Sequence, residues 1–164
     1  MPEHGFDPDQ ILRVLSEQGV EFVLIGGYAA ALHGSNHLTF DIDITPSRAP
    51  SNLDRLSSAL HELGARVRVE GIDGGLAFEH DGPSLARANV WNLVTNAGDL
   101  DLSFEPSGTE GWPDCRRRAP PRRSGVQTDT EGARATASAV SHSRPTWSEP
   151  SSSSSSFSSN DVST

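Results

Sequence analysis

The chain has 164 residues, one cysteine and a formal net charge of −9, from 22 acidic and 13 basic residues. That length suffices for one domain with a core. The lone Cys115 rules out an internal disulfide, and no apolar run approaches the roughly 20 residues needed to cross a bilayer.

Every basic residue is arginine. Together with abundant Ala, Gly, Pro and Ser, this points to a GC-rich genome. The first 114 residues carry a net charge of −12 and the last 50 one of +3. An acidic domain of this kind is a poor non-specific binder of nucleic acid without metal ions or a basic partner. The N-terminus, Met1-Pro2-Glu3-His4-Gly5, lacks the basic and apolar regions of a signal peptide. A cytoplasmic, soluble protein without membrane attachment is expected.

In chain order, Asp7 and Pro8 open a helix. Its apolar stripe is Ile11, Leu12, Val14 and Leu15, and Gly19 ends it. Residues 21–25 read as a short buried strand. Gly26-Gly27 then turns the chain into a short helix over 28–33, stopped by Gly34. Residues 38–45 form a second strand, closed by Pro46 and Pro50. A third helix is predicted over 51–63, capped by Ser51, with Leu53, Leu56, Leu60 and Leu63 at helical spacing. Residues 65–70 alternate as a strand. The glycine-rich stretch 72–82 is irregular, with at most a weak strand over 76–79, and a helical turn follows Pro83. Strands over 90–95 and 99–104 flank Asn96-Ala97-Gly98, a hairpin signal.

The composition changes after Asp114. An arginine- and proline-rich stretch leads into a Ser/Thr-rich one containing six consecutive serines, Ser151 to Ser156. Such a segment buries too little apolar surface to offset its ordering entropy. Two regions are therefore expected: a folded domain over 1–114 and a disordered tail over 115–164. The tail is either authentic or a frame-shifted reading of a GC-rich gene.

The chemistry concentrates in Phe40-Asp41-Ile42-Asp43-Ile44. Residues i and i+2 of a strand share a face, so Asp41 and Asp43 project together while the isoleucines face a core. Paired carboxylates repel unless a proton or a cation lies between them, and Mg²⁺ or Mn²⁺ is a natural partner for their oxygens. A third acid, Asp101 in Leu100-Asp101-Leu102, lies between apolar neighbours on a later strand. Beside the first two it would complete a metal cradle. Asp99 reads instead as an acid flanking the turn. Gly26-Gly27 lacks the third glycine of a dinucleotide-binding fingerprint. Gly34 breaks the helix between His33 and His37, which argues against a zinc site. Trp91 and Trp112 read as packing residues.

The glycine pair, the paired acids and the later apolar-flanked acid resemble the DNA polymerase β-type nucleotidyltransferase superfamily. The likeness is greatest to its small bacterial members, the abortive-infection and toxin–antitoxin nucleotidyltransferases, and covers roughly residues 8–112. It implies a minimal α/β fold, a small mixed sheet flanked by helices. It also implies that Asp41, Asp43 and Asp101 ligate Mg²⁺ or Mn²⁺ and act in catalysis. Gly26, Gly27, Ser35 and His37 would contact the phosphates of a nucleoside triphosphate such as ATP. The reaction implied moves a nucleoside monophosphate to a hydroxyl on a protein or RNA acceptor, and a cognate toxin or antitoxin is the implied partner. Two departures stand out. His37 and Phe40 occupy positions where relatives often carry arginine, and the family's basic helix after the last acid falls here in the expected tail. The alternative is a degenerate, truncated domain that binds nucleotide or a partner without catalysis. A manganese-dependent glycosyltransferase using Asp-x-Asp is a third reading, disfavoured by the glycine pair.

Overall fold

The computed structural model describes residues 5–36 and 38–119 and the backbone of Gln127 and Thr128. The Asp7 side chain caps helix α1 (Pro8–Glu17) by accepting the Gln10 N–H at 3.0 Å, and Ile11, Val14 and Leu15 are its buried stripe. Strand β1 (Phe22–Ile25) is buried throughout and runs directly into α2 (Gly26–Leu32). Then come β2 (Asp41–Pro46), α3 (Pro50–Glu62), β3 (Arg66–Val69), β4 (Ile72–Leu76) and α4 (Gly82–Leu85). The hairpin of β5 (Val90–Thr95) and β6 (Gly98–Ser103) follows, then α5 (Trp112–Arg118) and the two-residue β7 (Gln127–Thr128). The strand order is β4-β3-β5-β6-β2-β1-β7. β2 runs parallel to β6 and β1 to β7, and the other pairs are antiparallel. The architecture is α/β, a mixed sheet flanked by helices, as the sequence predicts. Among the described residues, no helix is long and apolar enough to cross a membrane.

Strand alternation separates the two faces of the sheet. Ile42, Ile44, Leu93, Leu100 and Leu102 form the main core with the buried stripes of α1 and α3. On the opposite face, Val23 and Ile25 of β1 pack against Cys115, Ala119 and Trp112 of the α5 region. The rest of that face carries the acids.

Several boundaries differ from expectation. β2 begins at Asp41 rather than residue 38, because its pairing starts with Asp41 on β6 and Asp43 on β1. Leu38 and Phe40 lie before it, exposed. α2 starts at Gly26 itself. α3 begins with Pro50 at its first turn and Ala49 as cap, and Ser51 makes no cap bond. Proline's fixed φ and missing N–H suit that first turn. The weak strand expected at 76–79 is instead Ile72–Leu76, paired with β3 across the Glu70-Gly71 turn, where Gly71 has φ +79°.

The expected domain boundary after Asp114 falls inside α5. Cys115 is fully buried and Ala119 nearly so, so the folded part extends to Ala119. A helix bearing Arg116, Arg117 and Arg118 thus follows the last acid-bearing strand, where a structureless tail was expected. The remaining expected tail, apart from the backbone of β7, lies outside the described residues.

One buried amide joins the ends of β1 and β2. Asn52 Oδ1 accepts the Glu21 N–H at 2.7 Å, and Asn52 Nδ2 donates to Glu21 O at 3.0 Å and Ser47 O at 2.9 Å. Replacement by alanine leaves the Glu21 N–H and the Ser47 carbonyl without these partners, while Glu21 O keeps the Ser47 N–H. Asn52→Ala is expected to cost about 2–3 kcal/mol, read as a lower urea midpoint at unchanged m-value.

Candidate metal centre

β2 and β6 are parallel neighbours, with Asp41 opposite Asp99 and Asp43 opposite Asp101. Four carboxylates therefore crowd one face of two adjoining strands, an arrangement that is unfavourable without compensation. The chain compensates in three ways. Thr39 Oγ1 donates to Asp41 Oδ1 at 2.5 Å. Arg68 of β3 pairs with both acids of β6, Nη1 to Asp99 Oδ2 at 2.5 Å and Nη2 to Asp101 Oδ1 at 2.6 Å. Asp43 responds by holding its proton, with its carboxyl pushed up to about 7. Burial is the main cause, followed by the charges of Asp41 and Asp101, with Arg68 opposing. Burial also raises the Asp101 carboxyl, against the pull of Arg68.

One carboxylate oxygen each from Asp41, Asp43 and Asp101 lies within 4.8 Å of the other two, and all three residues are half-buried. An all-oxygen donor set of this kind suits a hard divalent cation. Asp43 and Asp101 are raised first by burial and then by neighbouring acids, and a cation would relieve that second part. The residues therefore fit such an ion.

The glycine pair touches this cluster twice. Gly26 has φ +71°, and a Cβ there would overlap the Asp43 carboxylate. A Cβ at Gly27 would lie 3.1 Å from Thr39 Cβ and Oγ1, the same hydroxyl that holds Asp41. Gly-Gly and Asp-x-Asp are thus linked by packing, each glycine making room for one acid's arrangement.

Of the other residues singled out from sequence, Ser35 lies in the loop after α2, its N–H bonded to Ala30 O at 3.0 Å. His37 lies outside the described residues. Sequence reasoning missed Arg68, Thr39 and the pairing role of Asp99. The alternation Arg66-Val67-Arg68, matching Asp99-Leu100-Asp101 two strands away, was the available signal. A cavity of about 350 Å³, lined by Ser47, Arg48, Phe104, Glu105 and Trp112 among others, lies at the far end of β2 and takes in none of Asp41, Asp43, Asp99 and Asp101.

No protein-family model matches the chain. No curated protein matches it significantly. Among solved structures, it is similar to the antibiotic-resistance factor ANT(2'')-Ia in solution, at 21% identity and a TM-score of 0.42. The match covers 73% of this chain and 57% of that one. This chain thus spans less than two thirds of that protein, and function has to be read from the site's own chemistry.

Proposed function

We propose that the domain is a metal-dependent nucleotidyltransferase that moves a nucleoside monophosphate from a triphosphate to a hydroxyl on a protein or RNA acceptor. The convergence of Asp41, Asp43 and Asp101 from two parallel strands carries this reading. The glycine pair packed against that cluster, in the motif order seen in the sequence, supports it. Asp41, Asp43 and Asp101 would hold Mg²⁺ or Mn²⁺. Such an ion, when bound, neutralises phosphate charge and stabilises the leaving pyrophosphate.

The chain's own residues do the remainder. Gly27 leaves half-buried backbone beside Thr39 for phosphate oxygens to approach, and the buried Gly26 makes room for the Asp43 carboxylate. Asp101 accepts the proton of the acceptor hydroxyl. The hydroxyl oxygen forms a bond to the α-phosphorus as the bond to the β-phosphate oxygen breaks, and pyrophosphate leaves. Rate enhancement comes mainly from positioning and charge complementarity. Ser35 and His37 are assigned to phosphate contact on the sequence pattern alone.

Thermal melting with each of the four nucleoside triphosphates, with and without Mg²⁺, tests this on wild type and Asp41→Ala. A ligand at about 100 times its Kd adds about 2.7 kcal/mol, several degrees for a domain of this size. A Mg²⁺-dependent rise that disappears in Asp41→Ala is expected. No rise with any triphosphate would leave the second reading in its partner-binding form, a domain without catalysis. One observation favours that reading: Arg68 already neutralises part of the acid face from within the chain.

A further inference from the structure

Arg68 reaches the acid face from β3, two strands away from β6. Its Nη2 donates to both oxygens of Asp101, at 2.6 and 2.8 Å, and its Nη1 to Asp99 Oδ2 at 2.5 Å. Among the described residues, Arg68 is the one basic side chain ion-paired to these strands' acids. Arg66, on the same face of β3, is engaged with the carbonyls of Gly74 and Gly75.

A cation held by Asp41, Asp43 and Asp101 needs an oxygen of Asp101, yet both oxygens already accept from one arginine nitrogen. Two cations on one carboxylate repel each other strongly at contact distance. Asp99 lies outside the three-acid cluster, so its bond to Arg68 does not compete with metal binding. The guanidinium has five donors in a planar fork and can keep one partner while changing another.

We infer that Arg68 is a positioning residue with two settings. In the metal-free protein it is the counter-ion of Asp101. When a divalent cation binds, Arg68 gives up Asp101, stays anchored on Asp99 and offers its freed donors to the phosphates of the incoming triphosphate. This rests on the metal and nucleotide reading above and adds the residue that couples the two. The apo site is thereby spared four uncompensated carboxylates, and a positive charge becomes available only once the metal is in place.

The test is calorimetric titration of Mn²⁺, without nucleotide, into wild type, Arg68→Met and Arg68→Lys, with melting curves to establish folding. Arg68→Met should bind Mn²⁺ about tenfold more tightly, because nothing then competes for Asp101. Arg68→Lys, which keeps the charge but loses the fork, should fall between. Damage to the fold does not produce a gain in metal affinity, so the sign is diagnostic. At saturating Mn²⁺, the triphosphate with the largest melting shift should bind Arg68→Met about tenfold more weakly than wild type. Equal or weaker Mn²⁺ binding by Arg68→Met, with wild type binding normally, would overturn the Arg68 role and leave the metal centre standing. If Arg68→Met does not fold, Arg68→Lys decides by the same sign. Undiminished triphosphate affinity would overturn the second setting. Wild type that binds no Mn²⁺ would remove the metal centre and this role together.

Discussion

Asp43→Asn is expected to stabilise the metal-free protein and to abolish its metal binding in the same substitution. The Asp43 carboxyl is pushed up to about 7 in the folded chain, by burial first and then by Asp41 and Asp101. In the unfolded chain it ionises near the ordinary aspartate value of about 4. Between those values the folded state keeps a proton that the unfolded state has lost. Metal-free stability therefore falls as pH rises from about 4 to about 7 and stays low above. An amide at this position has no charge to acquire, so the variant should lack this part of the pH dependence. At pH 8 it should exceed wild type by about 2 kcal/mol, less than the full shift would give because Asp43 keeps some solvent contact. Urea unfolding at pH 5 and pH 8, with chelator, checks both the sign and the window. Mn²⁺ titration of the same variant should show a loss of at least about 100-fold, since the amide supplies no negative charge to the cation. A variant less stable than wild type at pH 8 would mean that the carboxylates are not in electrostatic conflict.

That conflict was legible in the sequence only in part. Period-two alternation around Asp41 and Asp43 gives the shared face directly, because a strand allows no other arrangement. The apolar neighbours of Asp101 give its strand. Their meeting depends on β2 and β6 pairing in parallel, with the whole of α3, β3, β4, α4 and β5 between them in the chain. No local pattern encodes that register. The alternation at Arg66-Val67-Arg68 marks a candidate, but its pairing is hidden for the same reason, since the partners of Arg68 lie 31 and 33 residues away. α5 was missed for a different one. Cys115 followed by three arginines reads as a polar break, yet the helix needs only Cys115, Ala119 and part of Trp112 to cover Val23 and Ile25. Arg117 and Arg118 meanwhile pair with Asp114, at 3.1 and 2.8 Å, and Arg116 lies over the Trp112 ring. A short apolar stripe carried by few residues falls below what composition can detect. The strand start at Asp41 rather than residue 38 was likewise fixed by where partners begin, not by the residues of 38–40 themselves.

Gly26→Ala carries the second large expectation, and it separates two reasons for one glycine. At φ +71° an alanine is strained by about 1 kcal/mol for its backbone alone. Its Cβ would also lie 2.7 Å from Asp43 Cγ and 2.9 Å from Asp43 Cβ, closer than real contacts allow. Asp43 sits in a strand paired on both sides, so neither its Cβ nor its backbone has room to retreat. The total cost should be about 2–3 kcal/mol, and displacement of the carboxylate should weaken Mn²⁺ binding as well. A double-mutant cycle with Asp43→Ala, read by urea unfolding, divides the cost. Trimming Asp43 removes the overlap with its carboxylate group but leaves the backbone strain and the 2.9 Å approach to its Cβ. The two substitutions should therefore be non-additive, with a coupling of about 1 kcal/mol or more in the rescuing direction. Additivity within about 0.5 kcal/mol would mean that Gly26 serves the turn into α2 alone. Coupling would mean that this glycine and the second aspartate of Asp-x-Asp form one steric unit. The spacing between the two motifs would then follow from the geometry of β1 against β2, with Ile25 opposite Asp43, independently of any ligand.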